Sequence, residues 1–88
     1  MNSALPIIVY AIKSISHDYI YVGMTNNIVR RIDEHNMGRN RSTKAYIPFE
    51  LIYSESHSSR ENARKREKYF KSGSGKKWLK KLILQQKI

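Results

Sequence analysis

Five side chains of this 88-residue sequence have types and spacings that suit catalysis: Tyr10, Tyr21, Arg31, His35 and Glu67. Each has an ordinary explanation when taken singly. Strand tyrosines are mostly packing residues with a satisfied hydroxyl, an arginine bordering an apolar helix face can snorkel, and a lone histidine is commonly half-buried. Glu67 is less easily dismissed. On helical geometry it lies about 40° from Ala63 and about 60° from Phe70, so its carboxylate faces the apolar side of its helix. Unpaired there it costs several kcal/mol, so it needs a cation, a proton or a hydrogen-bond donor. A salt bridge meets that need. A hard divalent ion also does, because one carboxylate with waters and phosphate oxygens suits Mg²⁺. Two tyrosines, an arginine with a histidine one turn later, and this carboxylate together supply the acid–base, phosphate-binding and metal-binding groups of phosphodiester hydrolysis.

The elements that must position them follow from pattern. Residues 7–12 (IIVYAI) are apolar on both faces, as in a buried strand, and 14–18 carry turn residues. Residues 19–23 read as a second strand, antiparallel to the first, with Tyr19 and Tyr21 on one face and Ile20 and Val22 on the other. Thr25 or Asn26 caps a helix over 27–37, with Ile28, Val29 and Ile32 as its apolar stripe, Arg31 and His35 beside it, and Gly38 ending it. After a basic loop, 39–44, residues 49–55 alternate Phe49, Leu51 and Tyr53 against Glu50, Ile52 and Ser54, a third strand. Ser58 and Glu61 form a capping box for a helix that Gly73-Ser74-Gly75 stops near Ser72. A last amphipathic helix over 76–86 buries Trp78, Leu79, Leu82 and Ile83 and exposes Lys76, Lys77, Lys80 and Lys81. The expected fold is one α/β (α+β) domain spanning 1–88: a small three-stranded antiparallel sheet flanked by three helices, order β-β-α-β-α-α.

Charge narrows the partner. Residues 1–59 hold six basic and five acidic side chains, whereas residues 60–88 hold eleven basic and two acidic, so nearly all of the net +10 sits on the last third. Such asymmetry points to a polyanion, foremost nucleic acid. The absence of cysteine excludes disulfides and thiolate metal sites. The longest apolar run, Ala4 to Ile12, is interrupted by Pro6 and falls far short of the roughly 20 residues that cross a bilayer. It has no basic segment before it and no small-residue cleavage site after it, so it does not read as a signal peptide. The expectation is a soluble, cytoplasmic protein with no membrane partner and no small-molecule cofactor.

Ile8-Val9-Tyr10, then Tyr21-Val22-Gly23 after ten intervening residues, then Arg31 eight beyond that glycine, resembles the GIY-YIG nuclease superfamily. Arg41-Ser42-Thr43-Lys44, Pro48-Phe49-Glu50-Leu51 and Glu67 within Lys65–Lys71 are similar to its small stand-alone bacterial branch. The resemblance covers nearly the whole chain. It implies that Tyr10 and Tyr21 are the two motif tyrosines, one of which activates or positions the attacking water, that Gly23 lets the backbone pass close to the site, and that Arg31 holds the scissile phosphate. It also implies that His35 fills a place the family gives to tyrosine or histidine, and that Glu67 binds one Mg²⁺ or Mn²⁺. Two departures stand out: Ile8 replaces the first glycine, and no asparagine follows Asn62, leaving Ser72 or Ser74 as substitutes.

The implied activity is metal-dependent endonucleolytic cleavage of DNA, structure-selective or weakly sequence-specific, in repair or recombination, with RNA not excluded and the chain acting as a monomer or weak dimer. Arg39, Arg41 and Lys44 in the loop, with Lys76, Lys77, Lys80 and Lys81 on the last helix, are the expected backbone-phosphate contacts. Two competing readings follow from the same residues. One is a catalytically weak nucleic-acid-binding module that keeps the fold. The other makes the helix from Lys76 to Ile88 a ligand for a membrane surface or a partner helix.

Overall fold

The computed structural model describes residues 6–86. Ala4, where the apolar run begins, and Lys87 and Ile88, which the reading of a Lys76-to-Ile88 ligand helix includes, lie outside the described residues. No described helix is long and apolar enough to cross a membrane.

β1 (Ile7–Ser14) is the central strand of an antiparallel sheet ordered β2-β1-β3, with β2 at Ile20–Thr25 and β3 at Phe49–His57. Its two-sided apolarity follows from that position. Val9 and Ala11 face one layer with Ile20, Val22, Phe70 and Leu79, whereas Tyr10 and Ile12 face another with Phe49, Tyr21, Ile28 and Ile32. Helix α1 (Ile28–Asn36) therefore covers the tyrosine face, and α2 (Arg60–Lys71) and α3 (Gly73–Gln86) cover the opposite one. The fold is α+β in the expected order β-β-α-β-α-α.

Several details differ from the sequence reading. In β3 the pairing skips a residue: Ala11 faces Tyr53, but Ile12 faces Leu51. Ile52 is the extra residue of a β-bulge, which reverses the alternation partway along the strand. Phe49 thus joins the tyrosine layer while Ile52 and Tyr53 join the other. Along α1, Val29 is exposed and the inward face runs through Ile28, Ile32 and the fully buried His35. Asn27, not Thr25 or Asn26, is the N-cap, its side chain accepting from the Arg30 N–H, and Gly38, at φ +75°, follows the C-cap Met37. Ser59, not Ser58, caps α2, accepting from the Asn62 N–H.

Gly73-Ser74-Gly75 does not separate the last two helices. Ser72 ends α2, and its hydroxyl also accepts from the Gly75 N–H, so α3 begins at once. A Cβ on Gly75 would sit 2.5 Å from Phe70 Cα and closer still to the Tyr69 carbonyl, so only glycine lets the first turn of α3 lie against the backbone of α2. From there the buried line of α3 runs Gly75, Leu79, Ile83, which moves Trp78 to the flank, where it is 41% exposed. Arg66 of α2 forks onto Glu55 of β3 at 2.8 and 3.0 Å, while Tyr53 and His57 hydrogen-bond the same carboxylate.

Gly75→Ala should lower the thermal midpoint by many degrees, whereas Gly73→Ala, whose Cβ meets nothing within 4 Å, should leave it nearly unchanged. Equal midpoints for the two variants would contradict the close α2–α3 approach.

Candidate active site

Tyr10 projects from the middle of β1 toward α1 and is 1% exposed. A phenol enclosed in this way has to be hydrogen-bonded. α1 supplies two partners from residues one turn apart. Arg31 Nε donates to Tyr10 Oη at 3.3 Å, and Tyr10 Oη lies 2.8 Å from His35 Nε2. Gly23 pairs with Tyr10 across the hairpin, and a Cβ there would stand 2.7 Å from Tyr10 Oη and 3.0 Å from the Tyr21 ring. The missing side chain at 23 is the space the hydroxyl occupies. Tyr21, half-buried, packs its ring 6.3 Å from that of Tyr10 and 4.9 Å from that of His35, so four of the five candidate side chains converge.

A fifth residue orders this network. His35 Nδ1 lies 2.9 Å from Thr43 Oγ1, and Thr43, itself fully buried, is 3.4 Å from the Asn40 carbonyl. A hydroxyl has one proton. Hydrogen-bond logic assigns it to the carbonyl, so Thr43 accepts from His35 Nδ1–H, and His35 Nε2 accepts the Tyr10 proton. Burial, and then the nearby positive charge of Arg31, holds His35 well below its ordinary value, at about 4, so the imidazole is neutral. Burial also pushes the Tyr10 phenol up to about 12, against the lowering effect of the Arg31 hydrogen bond. Tyr10 is thus a neutral phenol whose single proton points at His35.

Arg31 also donates from Nη1 to Glu34 at 3.0 Å, which fixes the guanidinium beside the tyrosines. Glu67, 23% exposed, is not enclosed among apolar groups; it pairs with Lys71 one turn on, at 3.1 Å. Its charge is the smallest of the influences on the Tyr10 phenol. Among the described residues no three His, Asp or Glu side chains cluster to hold a metal. The basic residues divide between the two layers. Arg39, Arg41 and Lys44 are exposed on the loop that carries Thr43, on the tyrosine side. Lys77, Lys80 and Lys81 are exposed on α3, across the sheet, and Lys76 donates its Nζ to the Ile20 carbonyl at 3.1 Å.

The GIY-YIG catalytic domain family matches residues 6–81. The chain belongs to this family. It is 37% identical over 79 residues to the UPF0213 protein YazA of Bacillus subtilis, covering 89% of this chain and 77% of that one. It is 34% identical over 68 residues to a UPF0213 protein of Streptococcus agalactiae, covering 76% of each. The solution NMR structure of the UPF0213 protein BH0048 from Bacillus halodurans superposes with a TM-score of 0.53 at 29% identity, covering 88% of this chain and 84% of that one. GIY-YIG membership places the chain among nuclease domains and implies a nucleic-acid substrate.

In this GIY-YIG domain the departures have visible settings. Ile8 packs, partly buried, against the cluster of Tyr10, Ile12 and Phe49. Ser72 is committed to the α2–α3 junction, donating to the Tyr69 carbonyl, whereas Ser74 is exposed. The resemblance includes Thr43 within Arg41–Lys44 but gives it no role, since a loop threonine between Ser42 and Lys44 carries no mark of burial. Asn36 was not singled out by sequence reasoning; its amide both donates to and accepts from the Phe49 backbone, at 3.2 and 2.7 Å, tying α1 to β3.

Thr43→Val should leave the His35 Nδ1–H unpaired and cost about 1–3 kcal/mol in chemical denaturation. Thr43→Ser should restore most of the loss. ¹⁵N shifts of His35 should show the proton on Nδ1 in the parent; a proton on Nε2 would contradict the assignment. The His35 value lies below that of the unfolded chain, so unfolding takes up the proton as pH falls. Stability from this group is complete above the ordinary 6.5 and is lost toward about 4. Glu55, held near 2 chiefly by its Arg66 hydrogen bond, adds a second loss from 4.5 downward. Equal denaturation midpoints at pH 7 and at pH 4.5 would contradict the His35 account.

Proposed function

We propose that the chain is a divalent-metal-dependent endonuclease that hydrolyses DNA phosphodiesters, with Tyr10, Tyr21, Arg31 and His35 at the reacting centre and Glu67 as metal ligand. The observation that carries this reading is the Tyr10 hydroxyl, held at one point by a guanidinium and a neutral imidazole. A buried tyrosine needs one partner for satisfaction; a charged donor together with a proton acceptor is the arrangement of proton transfer beside a phosphate.

In this mechanism the attacking water meets Tyr21, the more open phenol, with Tyr10 behind it. Tyr10 is too weak an acid to rest as phenolate. It takes up the proton that Tyr21 releases on accepting one from the water, and does so only while passing its own to His35 Nε2, the nitrogen that Thr43 keeps free. His35, fully enclosed, acts through Tyr10. As the oxygen–phosphorus bond forms and the leaving oxygen departs in line, Arg31 offsets the charge growing on the phosphoryl oxygens. Glu67, paired with Lys71 at 3.1 Å, is the residue that would hold the divalent ion, and a carboxylate with waters and substrate phosphates is the donor set that Mg²⁺ or Mn²⁺ would accept. When bound, such an ion supplies charge stabilisation at the leaving oxygen.

Arg39, Arg41 and Lys44, on the tyrosine side, track the backbone of the cut strand, contacts without base readout, so selectivity comes from DNA structure more than sequence. One reacting centre per chain serves one strand per encounter, whether as monomer or weak dimer.

The test is cleavage of branched, nicked and single-stranded DNA with Mg²⁺ or Mn²⁺. Glu67→Ala and Arg31→Ala should each lower turnover by about 100-fold or more while leaving the fold and most of the DNA affinity intact. A parent chain that binds these DNAs but cuts none of them would make it a binding module.

A further inference from the structure

The sheet separates the tyrosine cluster from a second surface of different character. Lys77, Lys80 and Lys81, with Tyr69, Trp78 and Leu84, line an open groove of about 470 Å³ between α2 and α3. Its aromatic floor is exposed and yet fixed. Trp78 stands edge-on to Tyr53 at 5.0 Å and lies 5.8 Å from Phe70, while Tyr69, 39% exposed, is held by Phe70 at 5.2 Å and by the Arg66 guanidinium at 5.2 Å. Rigid rings open to solvent among lysines form a platform on which bases stack while phosphates meet ammonium groups.

Other occupants fit less well. The apolar line of α3 is spent on the core through Leu79 and Ile83, leaving Trp78 and Leu84 as the exposed apolar groups, too narrow a strip for a helix lying in a membrane. A duplex keeps its base faces stacked and offers these rings nothing beyond its phosphates. The charge is complementary to a polyanion, with eleven basic residues against two acidic ones from 60 to 88, and Glu67 already paired with Lys71.

We propose that the α2–α3 groove binds a single-stranded segment of nucleic acid, with bases on Trp78 and Tyr69 and phosphates on Lys77, Lys80 and Lys81. The inference rests on the nuclease reading for its substrate class and adds that the substrate carries an unpaired stretch beyond the phosphodiester being cut.

Trp78 is the only tryptophan in the sequence, so its fluorescence reports on this groove. Titrations in EDTA, where cleavage is suppressed, would use oligothymidylate, an abasic oligomer of equal length and blunt duplex. Oligothymidylate should quench the emission and bind about tenfold or more tightly than the abasic chain. Combined Lys77→Gln, Lys80→Gln and Lys81→Gln, all at exposed positions that leave the reporter in place, should abolish the quenching. Quenching by the abasic chain with equal affinity would overturn the stacking claim. Unchanged emission with oligothymidylate, or a response to vesicles of anionic phospholipid alone, would overturn the groove's assignment to nucleic acid. Cleavage measured separately distinguishes the two readings: quenching without cleavage removes the nuclease and keeps the groove, and cleavage without quenching does the reverse.

Discussion

A phenol hydroxyl buried at the centre of a three-stranded sheet has to find hydrogen-bond partners, and the placement of α1 follows from how Tyr10 is satisfied. Leaving such a group unpaired would cost about 1–3 kcal/mol, a large share of what so small a domain has to spare. Arg31 and His35 meet that demand from one helix, and Gly23 clears the volume. The position of α1 is thereby fixed at three levels: apolar contact through Ile28 and Ile32, polar contact at Tyr10, and the Asn36 amide on the start of β3.

The same network separates structural from chemical roles. His35 is enclosed and neutral, Tyr10 is enclosed and protonated, and only Tyr21 and Arg31 retain exposure. With the imidazole behind the phenol, His35 sets where the Tyr10 proton rests, while Tyr21 and Arg31 are the members of the network that solvent reaches. Thr43 fixes the imidazole's orientation from a loop whose neighbours Arg41 and Lys44 are exposed and basic. Positioning and electrostatic attraction thus come from one short segment.

Much of this was legible in the sequence because its signals are local or periodic. Apolarity on both faces of residues 7–12 foretells a buried strand, and four-residue spacing puts Arg31 beside His35, whereas the close approach at Gly23, inside β2, is what the family resemblance implies. What escaped reading depends on pairing between distant segments. The bulge at Ile52 reverses the alternation of β3 and is set by its register with β1, not by its own residue types. The α2–α3 junction looked like a glycine stop because two glycines in three residues usually break a helix; here one of them serves backbone contact with Tyr69 and Phe70. Trp78 reads as core on hydrophobicity alone, and its exposure follows from where Gly75 docks. Glu67 lies on the inward half of α2, as helical angles require, but near an edge where Lys71 and solvent reach it.

The most direct test of the central claim is the single-turnover rate of Tyr10→Phe on a branched DNA with Mn²⁺, measured beside its thermal midpoint. Deleting one oxygen keeps the ring that fills the core, so the fold should persist, and the rate should fall by about 100-fold or more. A variant that folds and cuts at the parental rate would show that the hydroxyl between Arg31 and His35 is a packing feature, and that the chemistry of this domain lies elsewhere.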